Sequence, residues 1–315
     1  MNNTVGIIGG AGFIGHNLVD YFLKNNYEVV VVGRKVDRIK ICNDKLKLIE
    51  CLIEKTDYIL EELSNCGTII WLISATIPSS SQKSLLTEFE LNIKPLLQFL
   101  EKLTLMLTAK KFIFLSSGGA VYGNSTENKP ISEIAISNPI SSYGLSKLIC
   151  EDYIKYLTVD SNLQSYILRP SNVYGIYQNL IKPQGIIGYA FKAILHKEPL
   201  VLYDKGRVTR DFIFVNDLAI AIDLCIKDSF QSSNCNIYNV GSQQPYTIKE
   251  ILNKIENIAG AEIDFIPKIS RKFDCNYNVL NIQKIANELN WSPNVTIDNG
   301  LVEVWNWMKN NKNDK

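Results

Sequence analysis

The sequence predicts an α/β protein built on a doubly wound parallel sheet, and three observations predict it. Thr4 to Ile8 is a short, β-branched apolar run, followed by glycines at 9, 12 and 15 and by helical apolar spacing from Phe13 to Leu23. Strand-like runs then alternate with amphipathic segments as far as Leu168. After Arg169 the rhythm changes, and Pro170, Pro183, Gly185 and Pro199 divide the chain into shorter pieces. The expected organisation is a sheet domain over residues 1–170 and a smaller C-terminal α/β domain over residues 171–315. That boundary is soft, because a later strand can rejoin the main sheet.

Each element has its own reason. Gly9 permits a tight turn after the first strand, Gly12 lets backbone N–H groups approach a pyrophosphate, and Gly15 lets the helix pack close to the sheet. The positive N-terminal end of the helix, at Phe13 and Ile14, then points at the phosphates. The spacing is Gly-x-x-Gly-x-x-Gly, not the Gly-x-Gly-x-x-Gly of many dehydrogenases. Glu28 to Val32 reads as a second buried strand ending at Gly33-Arg34-Lys35, and Lys47 to Cys51 as a third, with a helix over Asp57 to Leu63. Thr68 to Ile73 reads as the fourth strand, with a polar loop from Ser74 to Ser81 behind it. A long helix is expected from Lys83 to Leu107, with Leu86, Phe89, Ile93, Leu97 and Leu100 on one side and a kink near Pro95. Phe112 to Ser117 is the fifth strand, Tyr143 to Leu157 a helix, and Ser165 to Leu168 the sixth strand. Helices are expected further on at 185–196, 216–227, 247–259, 282–289 and 298–309.

Composition excludes several classes. The 315 residues are 46% hydrophobic, with 33 Lys plus Arg against 32 Asp plus Glu, so no polyanionic partner is implied. Seven scattered cysteines without a Cys-x-x-Cys pair suit reduced thiols rather than a disulfide framework or a zinc site. The two histidines, His16 and His196, rule out a multi-histidine metal centre. No apolar run approaches the roughly eighteen residues of a membrane span, and a cytoplasmic protein is expected.

Two further stretches carry chemistry. In Tyr143-Gly144-Leu145-Ser146-Lys147 the phenol and the ammonium fall at i and i+4, on one helical face. A phenol is a poor base near neutrality. A neighbouring ammonium favours the phenolate, which can then take a proton from a sugar hydroxyl while a nicotinamide takes the hydride. Ser116-Ser117-Gly118-Gly119 ends the fifth strand, the edge at which a parallel sheet presents catalytic groups. A hydroxyl there can bond the reacting oxygen and relay its proton to Tyr143.

Together these blocks resemble the extended short-chain dehydrogenase/reductase family, in its nucleotide-sugar epimerase and dehydratase branch, a Rossmann-type fold. The matching pieces are Gly-Gly-Ala-Gly-Phe-Ile-Gly at 9–15, Ser-Ser-Gly-Gly-Ala-Val-Tyr-Gly at 116–123 and Tyr143 with Lys147. Leu-Arg-Pro-Ser-Asn-Val-Tyr-Gly at 168–175, Arg-Asp-Phe-Ile-Phe-Val-Asn-Asp-Leu at 210–218 and Leu-x-Trp-x-Pro at 289–293 continue it along nearly the whole chain. The resemblance implies that the first domain binds NAD or NADP and the second a nucleotide sugar. It implies Tyr143 as acid/base, Lys147 as its partner and ribose ligand, and a serine of the 116–117 pair, assigned to Ser117, as hydroxyl relay. It further implies that Asn172, Arg210 and Arg271 hold the substrate diphosphate, that Ser74 and Asn92 line the cofactor, and that the chain forms a homodimer through the long helix and the Tyr143 helix. Taken alone, Arg210 and Arg271 also read as surface ion pairs with Asp211 and Asp274.

Three departures from the family pattern bear on function. Gly118 stands where UDP-galactose 4-epimerases often carry the third serine of a Ser-Ser-Ser run. The acidic residue expected after the second strand is replaced by Gly33-Arg34-Lys35, and Arg34 suits a 2′-phosphate. The Asp-Leu pair expected after the third strand is absent from Glu50-Cys51-Leu52-Ile53. The leading expectation is an NAD(P)-dependent nucleotide-sugar 4-epimerase. An NADPH-dependent 4-keto-sugar reductase stands second, and a non-catalytic NAD(P)-sensing relative a distant third. A 4,6-dehydratase is disfavoured, since Gly118 and Gly119 stand where that branch carries an Asp-Glu pair.

Overall fold

The apolar runs of the sequence lie side by side as parallel strands. A computed structural model of the protein describes residues 3–76, 84–105, 111–124, 128–178, 185–229, 234–270 and 275–311. The strands are β1 (Thr4–Ile8), β2 (Glu28–Gly33), β3 (Leu46–Glu50), β4 (Thr68–Trp71), β5 (Lys111–Leu115) and β6 (Gln164–Pro170). With a seventh strand, Cys235–Val240, they form one sheet in the spatial order Cys235–Val240, β6, β5, β4, β1, β2, β3, every pairing parallel. The chain winds outward from β1 in one direction through β2 and β3 and in the other through β4, β5 and β6. The switch between β1 and β4 opens a crevice beyond their carboxyl ends, where such sheets hold ligands.

Both faces of the sheet are covered, which is why the strands read as continuous apolar runs. Ile7, Val29 and Val31 face a core shared with the Phe13–Lys24 and Val215–Lys227 helices. Ile8, Val30, Val32, Ile69 and Phe112 face a second core, shared with the Thr56–Glu62, Lys94–Leu103 and Ser142–Thr158 helices.

The long helix differs from the expectation in an instructive way. It runs as Leu85–Glu88, then a π turn over Phe89–Ile93, then Lys94–Leu103. Pro95 opens the last piece and has no N–H to continue an α-helical ladder, and the Lys94 N–H reaches back five residues to the Phe89 carbonyl. The extra residue per turn rotates everything before it. Leu86 and Phe89, expected on one side with Ile93 and Leu100, are exposed, whereas Ile93 and Leu100 are buried and Glu88 is 3% exposed.

The second half returns to the sheet twice, through the Val215–Lys227 helix and the Cys235–Val240 strand. The strand was hidden in the sequence by Asn236 and Asn239. Asn239 is fully buried, and its side chain donates to the carbonyls of Ile131 at 2.8 Å and Asn281 at 3.1 Å. The remaining segments form a separate core around Tyr174, Phe191, Leu252, Ile255, Leu301 and Trp305. Two short sheets carry the substrate-side residues: Asn172–Tyr174 beside Phe212–Phe214, and Thr209–Arg210 between Tyr246–Thr247 and Tyr277–Asn278. Asp217 joins late and early sequence blocks. Its carboxylate accepts from the N–H groups of Asn294 and Val295, and its carbonyl accepts from Trp291 Nε1. The Leu-x-Trp-x-Pro block is thus an anchor of the fold. No helix among the described residues is long and apolar enough to cross a membrane.

Candidate active site

The glycine turn leaves the end of β1 with Gly9 in the left-handed region at φ +85°, its N–H bonded to the Val32 carbonyl at 2.8 Å. Gly12 is exposed, and a Cβ added there would meet only the Gly9 carbonyl oxygen, at 3.6 Å. The Phe13–Lys24 helix begins on Gly12 with no side-chain cap and no acidic residue in its first turn. An uncapped, sterically open helix start fits a dinucleotide pyrophosphate, whose charge the helix end favours. Gly15 serves a different contact from the one expected: a Cβ there would lie 2.4 Å from Gly10 Cα, so it lets the helix close on the turn itself.

Tyr143 and Lys147 sit in the first turns of the Ser142–Thr158 helix, capped by Ser141, whose Oγ accepts from the Gly144 N–H at 3.1 Å. Lys147 is 6% exposed. Its Nζ donates to the Leu115 carbonyl at 2.8 Å and lies 4.8 Å from the Phe114 ring centroid and 5.8 Å from that of Tyr143. Tyr143 is half-buried. The helix is pressed against the turn that follows β5, because a Cβ on Gly144 would stand 2.4 Å from the Ala120 carbonyl oxygen. The two adjacent serines have separate surroundings. Ser116 is buried and its Oγ bonds Glu151, which also pairs with Arg169, whereas Ser117 is half-exposed. Gly118 has no room for a hydroxyl-bearing side chain, since its Cβ would meet Leu280 Cδ1 at 2.6 Å and the Arg169 carbonyl oxygen at 2.9 Å.

On the cofactor side, Arg34, Lys35 and Arg38 are exposed just beyond β2. Packing does not force the glycine before them: a Cβ on Gly33 would make only ordinary contacts, 3.7 Å from Val36 and 3.9 Å from Ala11. Ser74 is exposed, with its Oγ donating to the Thr76 carbonyl at 3.0 Å. Asn92 is buried behind that loop. Its Oδ1 accepts from the Ala75 N–H at 2.8 Å, and its Nδ2 donates to Thr76 Oγ1 at 3.0 Å and Glu88 Oε2 at 2.9 Å. Asn92 therefore shapes the loop after β4. Glu88, buried beside Asn92, carries no motif that marks it in the sequence. The π turn that buries it had only Pro95 as its signal.

On the substrate side, Asn172 Nδ2 donates to the Asp211 carbonyl at 2.9 Å, and Arg210 Nη1 donates to the carbonyls of Thr209 at 2.9 Å and Cys275 at 2.6 Å. The alternative reading of Arg210, an ion pair with Asp211, does not hold. Asp211 is fully buried, and its carboxylate instead accepts from the N–H groups of Ser242, Gln243 and Leu280 and from Ser242 Oγ. Burial pushes its carboxyl above the usual range, and those four bonds offset only part of that rise. Arg271 and Asp274 lie outside the described residues.

Comparison with known proteins agrees with this arrangement. The sequence model of the NAD dependent epimerase/dehydratase family matches residues 5–241. A candidate UDP-glucose 4-epimerase of Methanocaldococcus jannaschii is 31% identical over 314 residues, spanning 97% of this chain and 98% of its own. The structure of the UDP-glucose 4-epimerase of Thermotoga maritima with UDP-glucose is similar with a TM-score of 0.90 at 27% identity, over 98% of this chain and 99% of that one. The UDP-glucuronic acid 4-epimerase of Bacillus cereus, in complex with UDP-glucuronic acid and NAD, is similar with a TM-score of 0.89 at 25% identity, over 98% and 99%. With a glycine turn, a parallel sheet and a Tyr–Lys helix in this order, and a family match over most of its length, the chain belongs to the NAD dependent epimerase/dehydratase family.

Proposed function

We propose that this enzyme is a nucleotide-sugar 4-epimerase that acts on a UDP-hexose or a close relative. The observation that carries the reading is the pairing of half-buried Tyr143 with a buried Lys147 ammonium, 5.8 Å from the Tyr143 ring centroid, at the carboxyl end of β5. Tyr143 takes the proton of the C4 hydroxyl and later returns it, and the Lys147 charge stabilises the phenolate between those events. Ser117, the half-exposed serine, hydrogen-bonds the same oxygen and passes its proton to Tyr143. The dinucleotide, when bound, supplies the hydride acceptor and donor. Gly9, Gly12, Phe13 and Ile14 would cradle its pyrophosphate, with Gly15 closing the helix on that turn, Ser74 and Asn92 would form the wall beside it, and Lys147 would hold its ribose. Asn172, Arg210 and Arg271 take the substrate diphosphate, for which arginine offers a fixed fork of donors.

The choice between NAD and NADP turns on Arg34. Gly33 presents no carboxylate to repel a 2′-phosphate, and Arg34 and Lys35 add positive charge. These residues favour tolerance of NADP(H), and with exchangeable NADPH they would support the second reading, a 4-keto-sugar reductase. A homodimer is also proposed. Leu86 and Phe89 on one helix and Leu145, Tyr153 and Tyr156 on the next form an exposed apolar face that a second copy would cover.

Four measurements test these proposals. Incubated with UDP-, dTDP- and GDP-hexoses without added cofactor, the protein is expected to form the 4-epimer of one of them. Tyr143→Phe should retain the dinucleotide but lose about 10²–10⁴-fold in kcat; wild-type turnover in that variant would defeat the mechanism. In calorimetric titrations Arg34→Ala should weaken NADP(H) about tenfold or more while sparing NAD(H), as loss of a charge-assisted hydrogen bond of about 1.5–3 kcal/mol requires. Equal affinities in variant and wild type would remove Arg34 from the cofactor site. Sedimentation at micromolar concentration should show twice the chain mass, and a species of one chain's mass alone would exclude the dimer.

A further inference from the structure

Glu88 closes the Leu85–Glu88 turn and is 3% exposed. Its Oε2 accepts from Thr76 Oγ1 at 2.9 Å, from Asn92 Nδ2 at 2.9 Å and from Ser146 Oγ at 3.2 Å. These donors belong to three separate pieces of chain: the loop after β4, the π turn, and the helix of Tyr143 and Lys147. Asn92 extends the link to the Ala75 N–H at 2.8 Å, so the backbone of the loop is held as well as its side chain. Ser146 lies between Tyr143 and Lys147, with its Oγ also 2.9 Å from the Tyr143 carbonyl oxygen. Among the described residues Glu88 forms no ion pair, and its buried Oε1 has no hydrogen-bond partner. A carboxylate in such surroundings is costly to desolvate, and an aliphatic residue would be the cheaper filling. What the carboxylate adds is an acceptor able to collect several donors at one oxygen.

We propose that Glu88 is a positioning residue for the reaction. Its Oε2 ties the loop that forms the cofactor wall to the helix that carries Tyr143 and Lys147, so that both walls of the site keep one spacing. The inference rests on the reading of Tyr143 and Lys147 as the catalytic pair. It concerns geometry and not charge, which separates Glu88→Gln from Glu88→Ala. Glutamine keeps an oxygen for the three donors and places its amide nitrogen where Oε1 lies unpartnered. Alanine removes the tie.

The test measures NAD affinity by calorimetry in the absence of sugar nucleotide, kcat and KM, and thermal unfolding, for Glu88→Ala, Glu88→Gln, Ser146→Ala and the Glu88→Ala/Ser146→Ala double variant. Glu88→Ala is expected to lower NAD affinity and kcat by about tenfold or more each, as a small misplacement of reacting groups does, with little change in the sugar-nucleotide KM. Glu88→Gln should recover most of both. Ser146→Ala should lower kcat, and the double variant should be no worse than Glu88→Ala alone, because both changes cut the same tie. If Glu88→Ala lowers only the unfolding temperature, Glu88 is a packing residue and the proposal fails. It also fails if the two single effects add in the double variant. Should Glu88→Ala not fold, wild-type kcat in Ser146→Ala overturns the proposal by itself. The affinity measured without sugar keeps its failure distinct from failure of the epimerase reading.

Discussion

Lys147 sets the terms for the site around it. Its ammonium is buried, held by the Leu115 carbonyl at 2.8 Å and by the face of Phe114, and no carboxylate among the described residues forms an ion pair with it. A charge taken out of water without an ionic partner needs compensation nearby. The compensation comes from the end of β5, from aromatic ring faces and, under the proposed mechanism, from the phenolate of Tyr143. Each of these demands closeness. Glycine at residue 144 lets the helix lie against the turn after β5, with 2.4 Å between its absent Cβ and the Ala120 carbonyl oxygen. The Lys147 bond to the Leu115 carbonyl thus ties the helix to the end of β5, and the same helix carries Tyr143.

Behind that edge a second set of polar groups is fully sequestered. Arg169 and Glu151 form a buried ion pair, and Arg169 Nη1 also donates to Tyr122 Oη at 2.9 Å, which donates in turn to Asn239 Oδ1 at 2.7 Å. Burial drives the Tyr122 phenol up to about 12, against the downward pull of Arg169, so it stays protonated and keeps its donor role. Such networks are weak sources of stability and act mainly by allowing one arrangement. Here the arrangement engages Ser116 with Glu151, while Ser117 stays half-exposed.

Much of this was legible in the sequence because it depends on local periodicity and spacing. The β-branched runs became β1 to β6, the glycines at 9, 12 and 15 became the turn, and Tyr143 and Lys147 fell one helical step apart. The rest depends on contacts distant in sequence or on a break in period. The Cys235–Val240 strand escaped notice because Asn239 is satisfied by Ile131 and Asn281, partners far along the chain. The apolar stripe of the long helix breaks because a π turn has no 3.6-residue period, so Leu86 and Phe89 do not share the buried side of Ile93 and Leu100. Asp211 invited pairing with Arg210 next to it, but its donors come from the 242–243 turn and Leu280. Gly118 read as a missing hydroxyl, and the close approach of Leu280 gives the reason for its size.

The central claim is that one site removes and restores the same C4 hydrogen with no external redox partner. It is tested most directly with a nucleotide hexose that the enzyme turns over, labelled with deuterium at C4 and incubated in ordinary water. The account predicts that the epimeric product keeps the deuterium at C4 and that no added oxidant or reductant is needed, with mass spectrometry and proton NMR as readouts. Loss of the label to solvent, or turnover only when NADPH is added and consumed, would contradict it.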